Sequence, residues 1–236
     1  MNVTIINGNQ RHGSTWHATE LFIKALERYD DVKTTEFSMC RDMPHFCTGC
    51  FSCFMNGEET CPHAQEVAPI VRALEEADLI ILTSPVYGLD VSAQLKALLD
   101  HLCFMWFIHR PNPRMFNKIG LSIATTAGAG LKNATRTMRN NLVFWGLKRV
   151  YHFKIAVAAS KWDDVKERKI RIIEKKTDRL AKRISRSVRN VDRLANPLFR
   201  SILFRAVKGM MKKNTWSPRD KAYWQEQGWL TGTRPF

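Results

Sequence analysis

Residues 78–88 read Asp78-Leu79-Ile80-Ile81-Leu82-Thr83-Ser84-Pro85-Val86-Tyr87-Gly88. A short, unbroken apolar run closed by Ser84-Pro85 is a strand buried on both faces. Pro85 and Gly88 then set a sharp, exposed turn at its carboxyl end. Beyond that turn, Ser92 to Phe104 places Leu95, Leu98, Leu99 and Leu102 at helical spacing. A buried strand followed by an amphipathic helix is half of a parallel crossover unit.

The same unit recurs in both directions. Toward the N-terminus, Val3-Thr4-Ile5-Ile6-Asn7 is a β-branched run ending at Gly8. A helix follows from Gly13-Ser14-Thr15 through about Glu27, with Ser14 or Thr15 as its cap and Leu21, Phe22 and Leu26 on one face. Val32 to Phe37 reads as a second strand, residues 40–63 as an irregular, cysteine-rich stretch, and Ala64 to Ala77 as a helix. Toward the C-terminus, Lys118 to Thr125 is a strand ending in Ala127-Gly128-Ala129-Gly130, with a helix through about Phe144. Arg149 to Val157 is a fifth strand, and Asp163 to about Val188 a long charged helix. Five such alternations predict an α/β, doubly wound parallel sheet with helices on both faces. They suit the flavodoxin-like strand order 2-1-3-4-5.

A chain of 236 residues with 44% hydrophobic content holds one sizeable core. No apolar run approaches the roughly 18 residues of a membrane span. Met1-Asn2-Val3 enters a strand without the basic flank of a secretory signal. Six cysteines in such a chain suit the reducing cytoplasm, where clustered thiols more often mean metal or redox chemistry than disulfides. The net charge of +15 is unevenly placed. Residues 1–160 carry 16 Lys/Arg against 14 Asp/Glu, or +2; residues 161–236 carry 21 against 8, or +13. The excess therefore belongs to the C-terminal segment and says little about the first 160 residues.

In an open parallel sheet, ligands bind at the carboxyl ends of the strands near the switch in strand order. Three strand ends are unusual here. Gly8-Asn9-Gln10-Arg11-His12-Gly13-Ser14-Thr15 leads into a helix whose free N–H groups and positive dipole end face the loop. With Ser14, Thr15 and Arg11 it suits a phosphate monoester, although it is neither a dinucleotide GxGxxG run nor a Walker loop. The bland reading is a plain strand-to-helix turn, with His12 a solvated loop histidine. Ser84-Pro85-Val86-Tyr87-Gly88 offers Tyr87 as a partner for a flat ring; most lone tyrosines are half-buried surface aromatics. Thr125-Thr126-Ala127-Gly128-Ala129-Gly130 is small enough for close backbone approach to a ligand.

Together these motifs resemble the NADPH-dependent FMN reductases over roughly residues 1–160. The run Ser84-Pro85-Val86-Tyr87-Gly88, followed by Ser92, Lys96 and Asp100, is similar to that family's signature. The resemblance implies non-covalent FMN, its phosphate held by Asn9, Arg11, Ser14 and Thr15. The isoalloxazine would lie on Pro85, Val86, Tyr87 and Gly88, with Thr126 and Gly128 beside it. Asn9-Gln10 stands where many members have Ser-Pro or Ser-Leu. NAD(P)H would be the reductant. Hydride transfer between stacked rings requires position and electrostatics from the protein, so no acid, base or nucleophile is assigned.

Cys47, Cys50, Cys53 and Cys61 follow a C-x2-C-x2-C-x7-C pattern. Four thiolates in 15 residues can surround a four-iron cluster or one zinc ion, and the two tight spacings fit a 4Fe-4S cluster better. The pattern resembles that of the iron–sulfur flavoproteins, a branch of the same superfamily, in kind and in place. Packed or redox-active thiols without a cluster are the alternative. His45 and His63 flank the loop as further ligand candidates, with solvation as their bland reading; Cys40 and Cys103 read as small buried hydrophobes.

The expected organisation is a flavodoxin-like FMN-binding domain over 1–190 and a basic, aromatic-rich helical extension over 191–236. Asn196-Pro197 opens a helix through about Lys213 whose Leu198, Phe199, Ile202, Leu203, Phe204, Val207, Met210 and Met211 alternate with basic residues. Packing on the body or across a subunit interface is preferred over peripheral contact with an anionic membrane. Trp216, Tyr223, Trp224, Trp229 and Phe236 form a tail expected to dock on the body. The whole reads as an FMN-dependent NAD(P)H oxidoreductase or electron-transfer flavoprotein. A quinone-type or FMN reductase without a cluster is one alternative, and a membrane- or nucleic-acid-associated binding protein another. Expected partners are a small-molecule or protein electron acceptor and further copies of the chain, as a dimer or tetramer, with no specific nucleic acid.

Overall fold

Five segments pair as strands: β1 (Asn2–Asn7), β2 (Lys33–Ser38), β3 (Leu79–Pro85), β4 (Ile119–Thr126) and β5 (Arg149–Ala156). The computed structural model describes residues 1–157 and 162–236. Every pairing is parallel, in the order β2-β1-β3-β4-β5. The doubly wound fold and its strand order are as the sequence predicts.

Helix α1 (Ser14–Leu26) follows β1. The short α2 (Met39–Asp42) precedes the cysteine region, α3 (Ser52–Met55) carries Cys53 within it, and α4 (Ala64–Glu76) leads into β3. After β3 come α5 (Ala93–His101), α6 (Leu131–Phe144) and α7 (Glu167–Arg189). Period-two alternation divides the core. Ile80 and Leu82 face Ile70, Leu74, Leu95, Leu98 and Leu142 on one side. Leu79 and Ile81 face Phe22, Leu26, Ile173, Ala181 and Ile184 on the other.

Two helices end earlier or start later than the periodicity suggests. The α5 spiral tightens into a 3-10 turn over Leu102–Met105, and Trp162–Asp164 forms another 3-10 turn ahead of α7. No described helix is long and apolar enough to cross a membrane.

The C-terminal segment forms α8 (Leu198–Lys213) and α9 (Pro218–Glu226). Phe204, Val207, Met211, Trp224 and Trp229 share a third core with Phe107 and Phe116, which lie between α5 and β4. Arg200 donates to the Phe116 and Gly146 carbonyls and lies 4.1 Å from the Phe236 ring centroid. The expected docking of the aromatic tail is thus met for Tyr223, Trp224, Trp229 and Phe236. Trp216 stays exposed, as do Leu198, Phe199, Ile202 and Met210 on the outer face of α8.

Candidate functional site

Parallel register brings three strand ends to one edge. Asn7 lies opposite Thr83, and Pro85 opposite Thr125. Gly8 must be glycine for this convergence. A Cβ there would stand 2.7 Å from the Thr83 carbonyl oxygen and 2.9 Å from both Leu95 Cβ and Ser92 Oγ. Its N–H donates to Thr83 O at 2.9 Å, and Ser92 Oγ donates to its carbonyl. Ser92 also caps α5 by accepting from Leu95 N, while its own N–H donates to Ser84 Oγ at 2.9 Å. Ser92 therefore fastens the first loop to the third strand end. Lys96 and Asp100 form an exposed pair one turn apart on α5.

Between the strand ends lies a cleft of about 280 Å3. Asn9, Arg11, Ser14, Thr15, Pro85, Val86, Tyr87 and Thr126 line it, joined by Gly13, Thr125, Ala127 and Val157. The sequence reading assigns the first eight to the site; Gly13, Thr125 and Ala127 stand in its candidate loops without a role of their own, and Val157 stands outside them. Gly88 and Gly128 are not on the wall. Gly88, at φ +53°, and Leu89, at φ +68°, form a tight turn closed by paired Tyr87–Asp90 backbone bonds. The Gly128 N–H donates to Thr126 Oγ1 at 3.1 Å.

Neither Ser14 nor Thr15 caps α1. The N-cap is Gly13, in extended backbone, which has no side chain to close the helix start. The first turn's N–H groups thus point toward the cleft with the positive end of the helix dipole behind them. Thr15 Oγ1 instead bonds Thr125 Oγ1 at 2.6 Å, tying α1 to β4 under the cleft floor. Asn9 shapes the mouth: its Oδ1 accepts from Arg11 N at 3.0 Å, and its Nδ2 donates to Tyr87 OH at 3.0 Å. His12 stacks on Trp16, ring centroids 4.6 Å apart. An anion fits the helix end, and a flat ring fits the lip carrying Tyr87, whose surface is half exposed.

The cysteine loop is built separately. Gly49 (φ +65°) and Phe51 (φ +58°) turn the backbone sharply on either side of Cys50. All four cysteines are free thiols; Cys47 and Cys50 are exposed, Cys53 and Cys61 half-buried. Burial pushes the Cys53 thiol up to about 11, with Cys61, Cys47 and Cys50 adding to the rise, so the four sulfurs sense one another. A tetrahedral zinc would need its sulfurs about 3.8 Å apart. Among the described residues, the set of ligand atoms gathered within 4.8 Å is Cys61, His63 and His101, not the four cysteines.

The C-terminal extension reaches this loop, which the sequence does not announce. Arg110 donates through Nη2 to Cys53 O at 2.6 Å and to Glu58 at 3.0 Å, and through Nη1 to Asp220. Asp220, on α9, also pairs with His109 Nδ1 at 2.8 Å. Ser217 Oγ donates to Phe54 O at 3.0 Å, and Trp216 meets the Phe51 ring edge-on at 5.9 Å. Cys40 is half-buried, as is Cys103, whose thiol burial pushes up to about 11.

An open parallel sheet with an uncapped helix end and a ring-sized lip at its switch point is the frame of the flavodoxin-like proteins. Within that class the chain belongs to the NADPH-dependent FMN reductase family, whose model matches residues 1–164. It is 30% identical over 146 residues to an iron–sulfur flavoprotein of Archaeoglobus fulgidus, covering 61% of this chain and 63% of that one. It is 34% identical over 128 residues to an iron–sulfur flavoprotein of Methanocaldococcus jannaschii, covering 54% and 63%. The match thus spans just under two thirds of each relative. Among solved structures, an azoreductase from Bacillus anthracis is similar in fold, with TM-score 0.59, 16% identity and coverage of 78% of this chain and 99% of that one.

Proposed function

We propose that the chain is an FMN-dependent oxidoreductase that takes electrons from NAD(P)H and passes them on through a 4Fe-4S cluster in the cysteine loop. The observation that carries the flavin reading is the uncapped start of α1, opening into a cleft lined by Asn9, Arg11, Ser14 and Thr15. The first-turn amides, the Ser14 hydroxyl and the Arg11 guanidinium would hold the phosphate. Pro85, Val86 and Tyr87 would carry the ring, with Thr126 beside it. Cys47, Cys50, Cys53 and Cys61 would hold the cluster; their spacing, and the names of the relatives above, support it. Bound FMN accepts a two-electron hydride and releases electrons singly, and an iron–sulfur cluster carries one electron at a time. The chain's own part is to seat both groups, keep the Cys53 segment fixed through Arg110, and leave the Tyr87 lip open to a nicotinamide. A small-molecule or protein acceptor, self-association and residence in the cytoplasm complete the proposal. The exposed Cys47 and Cys50 favour, as second reading, a reductase whose loop works as redox thiols.

The test of the flavin reading is fluorescence titration of FMN into cofactor-stripped full-length protein. Arg11→Ala and Ser14→Ala each should weaken binding, by about 10-fold or more for the lost charge. Unchanged affinity in both would overturn the assignment of the phosphate end.

A further inference from the structure

Cys61 has neighbours that a four-cysteine cluster does not use. Its Sγ lies within 4.8 Å of ligand nitrogens on His63 and His101. These three residues come from two places in the chain. Cys61 and His63 close the cysteine loop just ahead of α4, and His101 ends α5. The α5 helix turns His101 inward, where it is 6% exposed, while Cys61 and His63 remain half-buried.

The hydrogen bonds fix which nitrogen is available. His101 Nδ1 lies 2.7 Å from the Ala97 carbonyl oxygen, one turn back on the same helix. A carbonyl only accepts, so Nδ1 carries the proton and Nε2 carries the lone pair. That lone pair points at His63 Nδ1, 2.9 Å away. A histidine whose second nitrogen donates to a backbone carbonyl is oriented as metal-ligating histidines are. His63 is held too: its ring stacks on His45 at 4.5 Å and 7°.

We propose that Cys61 Sγ, His63 Nδ1 and His101 Nε2 form a site for a single zinc-type divalent ion, filled when the loop carries no iron–sulfur cluster. One thiolate and two imidazoles are a zinc-type donor set, with a water as the fourth ligand. The distances suit it. Bonds of about 2.05 Å to nitrogen and about 2.3 Å to sulfur put the two nitrogens about 3.3 Å apart and the sulfur about 3.6 Å from each, so the rings part by a few tenths of an ångström and the Cys61 side chain, now within 4.8 Å, closes on them. Binding exchanges protons for the cation: the Cys61 thiol releases its proton, and the His63 proton moves from Nδ1 to Nε2. The site shares Cys61 with the proposed cluster, so the two occupancies exclude each other. In a cluster-free chain the ion would hold Cys61 reduced and pin the end of the loop to α5.

The inference rests on the cluster reading only for the sharing of Cys61, and the test separates the two. The full-length triple variant Cys47→Ser/Cys50→Ser/Cys53→Ser, which cannot assemble the cluster, is titrated anaerobically with Co2+ as the spectroscopic stand-in for zinc. One Co2+ per chain is expected, with a thiolate-to-cobalt charge-transfer band and the intense visible bands of a four-coordinate ion. In that background Cys61→Ser abolishes the charge-transfer band. His63→Ala weakens binding by on the order of a hundredfold or more, since even supporting residues of metal sites cost 10- to 100-fold. His63 is half-buried, so its variant folds even if one at His101 does not, and circular dichroism checks this. Absence of Co2+ binding in the triple variant, or a charge-transfer band that survives Cys61→Ser, would overturn the proposal. So would undiminished affinity in His63→Ala. Iron content of the single variant His63→Ala reports on the cluster alone: retained iron leaves the four-cysteine reading standing whatever Co2+ does.

Discussion

Asp220 lies in the C-terminal extension, yet its replacement should be felt in the cysteine loop. It is fully buried and accepts from Arg110 Nη1 and His109 Nδ1. Asp220→Asn keeps the shape and removes the charge. Removing one partner of a buried ion pair costs about 3–5 kcal/mol, because the other charge is left uncompensated. Here Arg110 keeps Glu58, itself half exposed, and the Cys53 carbonyl. The lower end, about 3 kcal/mol, is therefore the expected loss. For a chain of this size that is a fall in Tm of roughly 6–12 °C. The loss is local in its consequences. Arg110 and Ser217 hold the carbonyls of Cys53 and Phe54, whereas among the described residues no cleft-lining side chain bonds to Asp220. The variant should lose iron while keeping FMN. The assay is a thermal melt of purified holoprotein, with iron and flavin measured on the same sample. A Tm within a degree of wild type, or flavin lost in step with iron, would refute the reasoning. Replacing the pair together, as Arg110→Met/Asp220→Leu, should recover part of the stability but not the iron.

Gly8→Ala should destabilise by about 1–3 kcal/mol and weaken FMN binding, because the new methyl meets the Thr83 carbonyl at 2.7 Å; denaturant unfolding reads the first and flavin titration the second. In cluster-free protein at pH 8, iodoacetamide should label the exposed Cys47 and Cys50 well before Cys103. With its thiol pushed up to about 11, Cys103 is only about one part in a thousand thiolate there. Its labelling should rise as the pH approaches 11, which peptide mass spectrometry measures.

The sheet was legible because buried parallel strands are written as short β-branched or leucine-rich runs, and Ser84-Pro85 and Gly8 mark where two of them stop. Parallel register then turns three separate strand ends into one edge, which is why Asn9, Arg11, Ser14, Thr15, Pro85, Val86, Tyr87 and Thr126 fall on one cleft. Thr125 and Val157 were readable by the same logic as residues at the ends of β4 and β5. Local hydrogen bonding was less legible. Nothing in Gly13-Ser14-Thr15 says that Thr15 prefers Thr125, 110 residues away, to its own helix start. The clamp on the cysteine loop was not legible at all. Asp220 stands among Arg219 and Lys221 like any solvated charge, and its partners at 109 and 110 sit in a segment with no motif. Only packing of Trp224 and Trp229 against Phe107 and Phe116 brings them together.

The most direct test of the central claim is the absorption spectrum of full-length protein purified without oxygen, with flavin, iron and acid-labile sulfide assayed on the same sample. Oxidised-flavin bands over broad iron–sulfur absorption, with about one FMN, four iron and four sulfide per chain, are the expected result. Flavin bands without iron would remove the cluster and leave a reductase with a thiol loop. A colourless protein that takes up no added FMN would contradict the account.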